Sequence, residues 1–387
     1  MKTNKFFFGI AAFAAITLAS CSKEEPGGKD NGTDKVVNVQ MVFKQSRAGI
    51  TNVEDGHATA TNPTVSSIVI DVLDASGATL NTYTYSSDAD INALKTPGKK
   101  FTVNSNAAKI SIKGNPTTET NINKLQGFAV VPLSGESTIV GSSNGSGTET
   151  DPYKVNVEIK PELARIEVFG GIEVTGTKTY YAVDVEQIFV NNIKLTENAS
   201  SLTRIATDQA PWTTIWYDAY KTGGTMENLF SVIVAANVNP DITKSEVIID
   251  VSKYYTTDHN IGLATDKAAG YNIFPQTTVK TDQADVAAEM PHVILHVKLY
   301  KTADDYANGK FDANRQFVTV RSFKDKDGSR VTKMDAANIY RFDLSDLKTA
   351  FEDGPDPTDP NPEGDKMVVD LTLTVTQWAI NDIHPEL

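Results

Sequence analysis

The sequence contains almost no cysteine: its 387 residues include one, Cys21. A single cysteine excludes an intramolecular disulfide, so the folded chain must be stabilised by packing and strand pairing. Long apolar runs are also missing. The apolar run at residues 6–18 is shorter than the roughly 20 residues that a membrane-spanning helix needs.

Basic residues are fewer than acidic ones, with 36 Lys and Arg against 49 Asp and Glu and a net charge of -13. This balance argues against nucleic acid, and against an anionic bilayer, as an electrostatic partner. The 40% hydrophobic and 22% charged fractions are ordinary for a soluble globular protein. The length suggests two domains, each large enough to bury a core.

Residues that could carry catalysis or bind a metal are scarce. His292 and His296 have the spacing of a metal pair on a helix, but they lie in an apolar run that predicts a strand. On a strand their rings would be about 13 Å apart, too far to share a metal ion. Residues 325–328 resemble half of a calcium loop, but the glutamate that completes such a loop is missing. We therefore predict no catalytic residues, no metal and no cofactor.

The N-terminus predicts export. Lys2 and Lys5 precede the apolar run, and small residues follow it, which is typical of a secretory signal at residues 1–20. Leu-Ala-Ser-Cys, which ends at Cys21, resembles a bacterial lipobox, in which the cysteine carries acyl chains such as palmitate. Residues 21–35 are polar and glycine-rich, so we predict a flexible tether. The alternative is a plain signal peptide with an incidental cysteine.

Residues 36–47 alternate between apolar and polar side chains, the pattern of a half-buried β-strand. The segment ends at Arg47, followed by Ala48, and no other arginine occurs in the first 164 residues. One interpretation is an ordinary first strand followed by a solvated basic residue. The other is a strand that can be cut off and replaced. The predicted inward face consists of Val37, Val39, Met41 and Phe43.

Short strands separated by Gly, Asn and Asp turns continue through the chain and predict a nearly all-β fold with few short helices. We place the boundary between two β-sandwich domains at Pro161, which gives domains at residues 36–160 and 161–387. A proline-rich acidic loop at residues 352–365 precedes the last strand, at residues 366–378. The predicted inward face of this strand consists of Val369, Leu371, Leu373 and Val375.

Trp212 and Trp216 form an aromatic pair that could stack against a sugar. Packing at a domain junction is the commoner use of such residues. The pair nevertheless leaves open a second function, that of a glycan-binding lipoprotein of the outer membrane. Solvent exposure of the two rings would discriminate between these interpretations.

The order of these features resembles the fimbrillin family, the major and accessory fimbrial subunits of Bacteroidetes type V pili. The lipobox and the strand that ends in Arg47-Ala48 carry the resemblance at the N-terminus. The remaining motifs are the strand and turn at residues 65–77, Leu-Ala-Arg-Ile-Glu-Val at 163–168, Tyr-Asn-Ile-Phe-Pro at 271–275, Ile-Tyr-Arg at 339–341 and the strand at 372–378.

The resemblance implies two tandem transthyretin-like β-sandwich domains and a non-enzymatic role in a cell-surface fimbrium that supports adhesion. It implies a lipid at Cys21, transport to the outer membrane, and cleavage after Arg47 by a trypsin-like protease. The first strand would then leave, and a C-terminal strand of another fimbrial subunit would replace it. The strand that contains Val369 to Val375 is a candidate donor. After it only nine residues follow Trp378, which leaves a stalk, tip or accessory position open.

Overall fold

The computed structural model describes residues 33–43, 64–126, 131–140, 144–172, 174, 180–200, 202, 248–250, 269–312, 317–325, 327–352 and 369–377. These residues are mostly β-strand, with a few short helices, as the sequence predicts. No helix in the described ranges is both long and apolar enough to cross a membrane.

The first sheet has seven strands in the order β3-β2-β5-β6-β7-β1-β4. Strand β1 pairs with two strands that are distant in sequence, parallel to β7 and antiparallel to β4. The strands are β1 Lys35–Phe43, β2 Ile68–Leu73, β3 Thr79–Tyr85, β4 Lys99–Val103, β5 Lys109–Gly114, β6 Leu133–Thr138 and β7 Tyr153–Pro161.

The hairpin of β2 and β3 confirms the predicted turn. The side chain of Asp74 accepts hydrogen bonds from the backbone N–H groups of Ser76 and Ala78, and Gly77 adopts a positive φ of 89°. A residue with a β-carbon would be strained in that backbone conformation. This local hydrogen bonding explains why an Asp-Ala-Ser-Gly sequence ends one strand and starts the next.

Strands β6 and β7 pair only at their ends, where Leu133 lies opposite Pro161 and Ser134 opposite Lys160. Inward side chains from β2 and β5 on one side of this point, and from β1 and β7 on the other, share one hydrophobic cluster. Strand β6 begins at Leu133 and ends at Thr138.

Helix α1, Asp88–Lys95, lies at the predicted place between β3 and β4. Ser87 caps its N-terminus by accepting a hydrogen bond from the Asp90 backbone N–H, and acidic residues occupy its first turn. Ile91 and Leu94 are buried in the first cluster, which fixes the helix against the sheet.

The second sheet has eight strands in the order β10-β9-β13-β14-β17-β16-β8-β11. A separate two-stranded ribbon consists of β12 and β15. The strands are β8 Ala164–Phe169, β9 Ala182–Asn191, β10 Ile248–Asp250, β11 Ala269–Ile273, β12 Gln276–Thr277, β13 His292–Tyr300, β14 Phe317–Asp325, β15 Lys333–Met334, β16 Asn338–Asp343 and β17 Val369–Gln377.

The described ranges contain three more helices beside this sheet, and the sequence pattern did not predict them. They are α2 Gln283–Glu289, α3 Ala303–Ala307 and α4 Lys348–Glu352, with 3₁₀ turns at Ile122–Lys124 and Leu344–Leu347. Strand β9 starts at Ala182 and ends at Asn191. It ends there because Asn192 adopts a positive φ of 56°.

Strand β17 pairs with two strands of its own sheet. Its first half runs parallel to β14, up to Leu373 opposite Asp325. Its second half runs antiparallel to β16, from Thr374 opposite Arg341. The last described strand is therefore integrated into the second sheet over its whole length.

The connection between β5 and β6 packs on the second sheet. Ile122, Leu125 and Val131 belong to the hydrophobic cluster of that sheet rather than to the cluster of the first. The Gln126 side chain accepts a hydrogen bond from the Asn272 backbone N–H at 2.8 Å and donates one to the Asn272 carbonyl at 3.0 Å. The two sheets are thus joined by apolar packing and by buried hydrogen bonds.

Strand β8 is buried on both faces. Ile166 and Val168 lie in the second cluster, while Arg165 and Glu167, on the opposite face, are also completely buried. Arg165 Nη1 donates to Asn272 Oδ1 at 3.0 Å, and Arg341 Nε lies 3.0 Å from Glu167 Oε2. The buried charges are therefore paired, as burial of ionised groups requires.

Candidate functional site

The site that the sequence singles out is β1, and the structure places it inside the first sheet. Its four predicted inward side chains are buried, between 0% and 3% exposed. Val42, the apolar exception on the outward face, is half-buried. The period-two pattern of the sequence therefore gives the correct strand and the correct inward face. The buried side chains are Val37, Val39, Met41 and Phe43.

These side chains fill the first cluster together with residues of every other strand of the sheet except β3, and with helix α1. Burial of four apolar side chains contributes roughly 6–12 kcal/mol before the entropy of ordering the strand is subtracted. Strand β1 is therefore a substantial part of the core, although it is the first strand of the described residues.

The two neighbours of β1 cover different lengths of it. The pairing with β4 extends from Lys35 opposite Val103 to Val39 opposite Lys99. The pairing with β7 extends from Val37 to Phe43, which lies opposite Ile159. From Gln40 onward, β1 no longer pairs with β4, and the end of helix α1 lies beside it instead.

Residues 95–98, at the end of helix α1, contact both outward and inward side chains of β1. Gln40 Nε2 donates to the Lys95 carbonyl at 2.8 Å, and Asn38 Nδ2 donates to the Pro97 carbonyl at 3.3 Å. The Lys95 ammonium lies 5.6 Å from the centre of the Phe43 ring, within the range of a cation–π contact.

The start of β1 is held by two further hydrogen bonds. Lys35 Nζ donates to the Ala107 carbonyl at 2.5 Å, and the Val36 backbone N–H donates to the Gly147 carbonyl at 2.8 Å. Partial burial lowers the pKa of the Lys35 ammonium. Strand β1 is thus hydrogen-bonded at its start as well as along its edges.

Other residues that the sequence singles out lie outside the described ranges. They are the lipid-anchor cysteine Cys21, the cleavage pair Arg47 and Ala48, and the aromatic pair Trp212 and Trp216. The backbone of the candidate donor strand, with Val369, Leu371, Leu373 and Val375, is described as β17.

The two histidines lie on β13, as predicted, and have separate environments. His292 is buried, and its Nε2 lies 2.5 Å from the Ala287 carbonyl, whereas the His296 ring packs against Phe317. The described ranges contain no group of three metal-ligating side chains. The turn after β14 is formed by Asp325, whose carboxylate accepts hydrogen bonds from the backbone N–H groups of Asp327 and Ser329.

Comparison with solved structures finds fimbrial proteins of similar fold. The fold is similar to that of a fimbrilin from Porphyromonas gingivalis, with a TM-score of 0.49 and 14% identity over 90% of this chain and 98% of that one. It is also similar to a tip fimbrial protein from the same species, with a TM-score of 0.41 and 10% identity over 89% of this chain and 100% of that one.

This chain is similar to fimbrial proteins. No protein-family model matches the sequence, and no curated protein matches it either.

Proposed function

We propose that the protein is a structural subunit of a cell-surface fimbrium that supports adhesion and has no enzymatic activity. The observation that carries this proposal is the position of β1. It is the first strand of the described ranges, yet it lies between β4 and β7 and supplies four side chains to the core. Its removal would leave an open groove between β4 and β7, while the pairings among β3, β2, β5, β6 and β7 would stay in place.

In such a groove two strand edges lack hydrogen-bonded partners, and the core beneath them is exposed. A strand of another subunit would pair with the edges and cover the core. In this proposal the chain is exported as a lipoprotein acylated at Cys21, reaches the outer membrane and is cut between Arg47 and Ala48 by a trypsin-like protease. Subunits then polymerise by donor-strand exchange. The resemblance to fimbrillins in the sequence supports each of these steps.

Two transthyretin-like β-sandwich domains, at residues 36–160 and 161–387, belong to the same proposal. The two separate hydrophobic clusters support it. The candidate donor strand at residues 369–375 would have to leave both β14 and β16 in order to act. A donor segment outside β17 is therefore the simpler arrangement.

Limited trypsin digestion of the mature chain tests the proposal. Mass spectrometry should detect loss of the segment that ends at Arg47, and SDS-resistant ladders should then form. Arg47→Ala should fold but remain monomeric, while Lys44→Ala, which removes a nearby trypsin site, should still assemble. A chain that is cut at Arg47 and stays monomeric, or surface polymers of Arg47→Ala, would contradict the mechanism.

A further inference from the structure

A short segment, residues 95–98, which we call the strap, accepts hydrogen bonds from two outward side chains of β1. Its first residue, Lys95, is the last residue of α1, and its carbonyl lies among the helix carbonyls that lack an intrahelical donor. Gln40 supplies that donor from β1, and Asn38 supplies one to the Pro97 carbonyl. The end of the helix is therefore capped by the strand.

The strap approaches β1 closely. A β-carbon at Gly98 would lie 2.9 Å from Asn38 Nδ2 and 3.0 Å from the Val39 carbonyl oxygen. Gly98 also has a φ of +98°, a conformation that residues with a β-carbon rarely adopt. The glycine thus lets the strap carbonyls come within hydrogen-bond distance of the side chains of the strand.

We propose that the strap selects the strand that occupies the groove between β4 and β7. The core requires apolar side chains at the inward positions. The strap adds a second requirement, because its carbonyls need side-chain N–H donors of amide length at the positions of Asn38 and Gln40. A strand without the donor at the position of Gln40 leaves the part-buried Lys95 carbonyl unpaired, which is unfavourable, whereas the bond to the Pro97 carbonyl is exposed and contributes less.

The identity of the natural occupant rests on the proposed function. There, the partner is an extended segment of another subunit. Its inward positions carry apolar residues, and two outward positions, two residues apart, carry Asn or Gln. The resident strand itself meets this requirement, so the selection can be measured both on the intact chain and on an incoming strand.

The first measurement is hydrogen exchange of the intact full chain. In the variant Asn38→Thr/Gln40→Thr, the β1 amides should exchange about tenfold faster, because the part-buried hydrogen bond of Gln40 is lost and the longer, exposed bond of Asn38 adds little. Threonine suits a strand well, so strand propensity cannot cause the loss. The control Val42→Thr places the same residue on the same face and should exchange at the wild-type rate. Equal rates in both variants would overturn the proposal.

The second measurement uses acetylated peptides with the sequence of residues 36–43. The full chain is cut with trypsin in an excess of peptide, and native mass spectrometry records occupancy. The wild-type peptide and its Val42→Thr form should bind equally, and the Asn38→Thr/Gln40→Thr form about tenfold less. Equal occupancy by all three would overturn strap selection but leave strand exchange intact. If no peptide enters while the intact variant loses protection, strand exchange fails and the selection of the resident strand by the strap stands.

Discussion

Arg165 and Glu167 lie two residues apart on β8, and Arg165 Nε donates to Glu167 Oε1 at 2.9 Å with both side chains completely buried. Glu167 also pairs through its second oxygen with Arg341 of the neighbouring strand β16. One carboxylate thus serves two guanidinium groups, and Arg341 stacks 4.7 Å from the centre of the Phe169 ring. This arrangement joins β8, β16 and β11 on the face opposite to the apolar cluster.

We expect Glu167→Gln to lower the free energy of unfolding by about 3–5 kcal/mol, because it leaves buried guanidinium charge without its counterion. Urea unfolding measures the change. The control Glu149→Gln breaks the exposed pair with Lys100 and should change stability by no more than about 0.5 kcal/mol. Similar losses in both variants would mean that the buried network contributes no more than a surface pair.

Gly270 tests the same network from the neighbouring strand. An added β-carbon there would lie 2.0 Å from Arg165 Nη2, and Arg165 cannot easily move because Glu167 and Asn272 hold it. We expect Gly270→Ala to cost about 1–3 kcal/mol in unfolding free energy. In the control Gly114→Ala the atoms nearest to the new carbon belong to the Leu133 side chain and lie at 3.0 Å or more, so the loss should be smaller than about 1 kcal/mol. An equal loss in both would contradict the contact.

Only part of the buried network can be predicted from the sequence. Alternation correctly separates Arg165 and Glu167 from Ile166 and Val168, because the side-chain period of a strand is a local property. Burial of the polar face is not local. It depends on Asn272, 107 residues away from Arg165, and on Gln126 in the connection between β5 and β6. No pattern within β8 contains that information.

For β1, the sequence predicts the strand and its inward face but not its partners. The alternation of apolar residues predicts its inward face, and the Asp-Ala-Ser-Gly turn predicts the hairpin of β2 and β3, which follows β1 in the sequence. Both signals are local. The partners of β1 are β4 and β7, about 60 and 115 residues away, and the sequence does not specify them. The amide contacts of Asn38 and Gln40 with the strap therefore became visible only in the structure.

Asp90 should make the stability of the first sheet depend on pH. Its carboxylate lies 2.7 Å from Lys99 Nζ and accepts a hydrogen bond from the Ser87 hydroxyl, and these contacts lower its pKa below the ordinary 3.8. The folded state therefore favours the charged form. This contribution is present above pH 3.8 and is lost as the pH falls through the lower pKa of the folded state.

The measurement is urea unfolding between pH 2 and pH 7. Asp90→Asn should reduce the loss of stability on acidification, since asparagine does not titrate. Stability curves of Asp90→Asn that run parallel to the wild type throughout this range would contradict the prediction.

Met41 tests the contribution of β1 to the core. It is 1% exposed in the first cluster, so Met41→Ala should leave a cavity and cost about 2–5 kcal/mol, whereas the half-buried Val42→Ala should cost less than about 1 kcal/mol. Hydrogen exchange in urea can localise the loss of stability. Side chains of β2 and β5 belong to the first cluster and those of β9 and β13 to the second, so the backbone amides of these strands report on the two clusters separately. Faster exchange only in the first set is expected. Equal acceleration in both sets would mean that the two sheets unfold as one unit, since the contacts of Gln126 with Asn272 would then couple the loss of β1 packing to the whole chain.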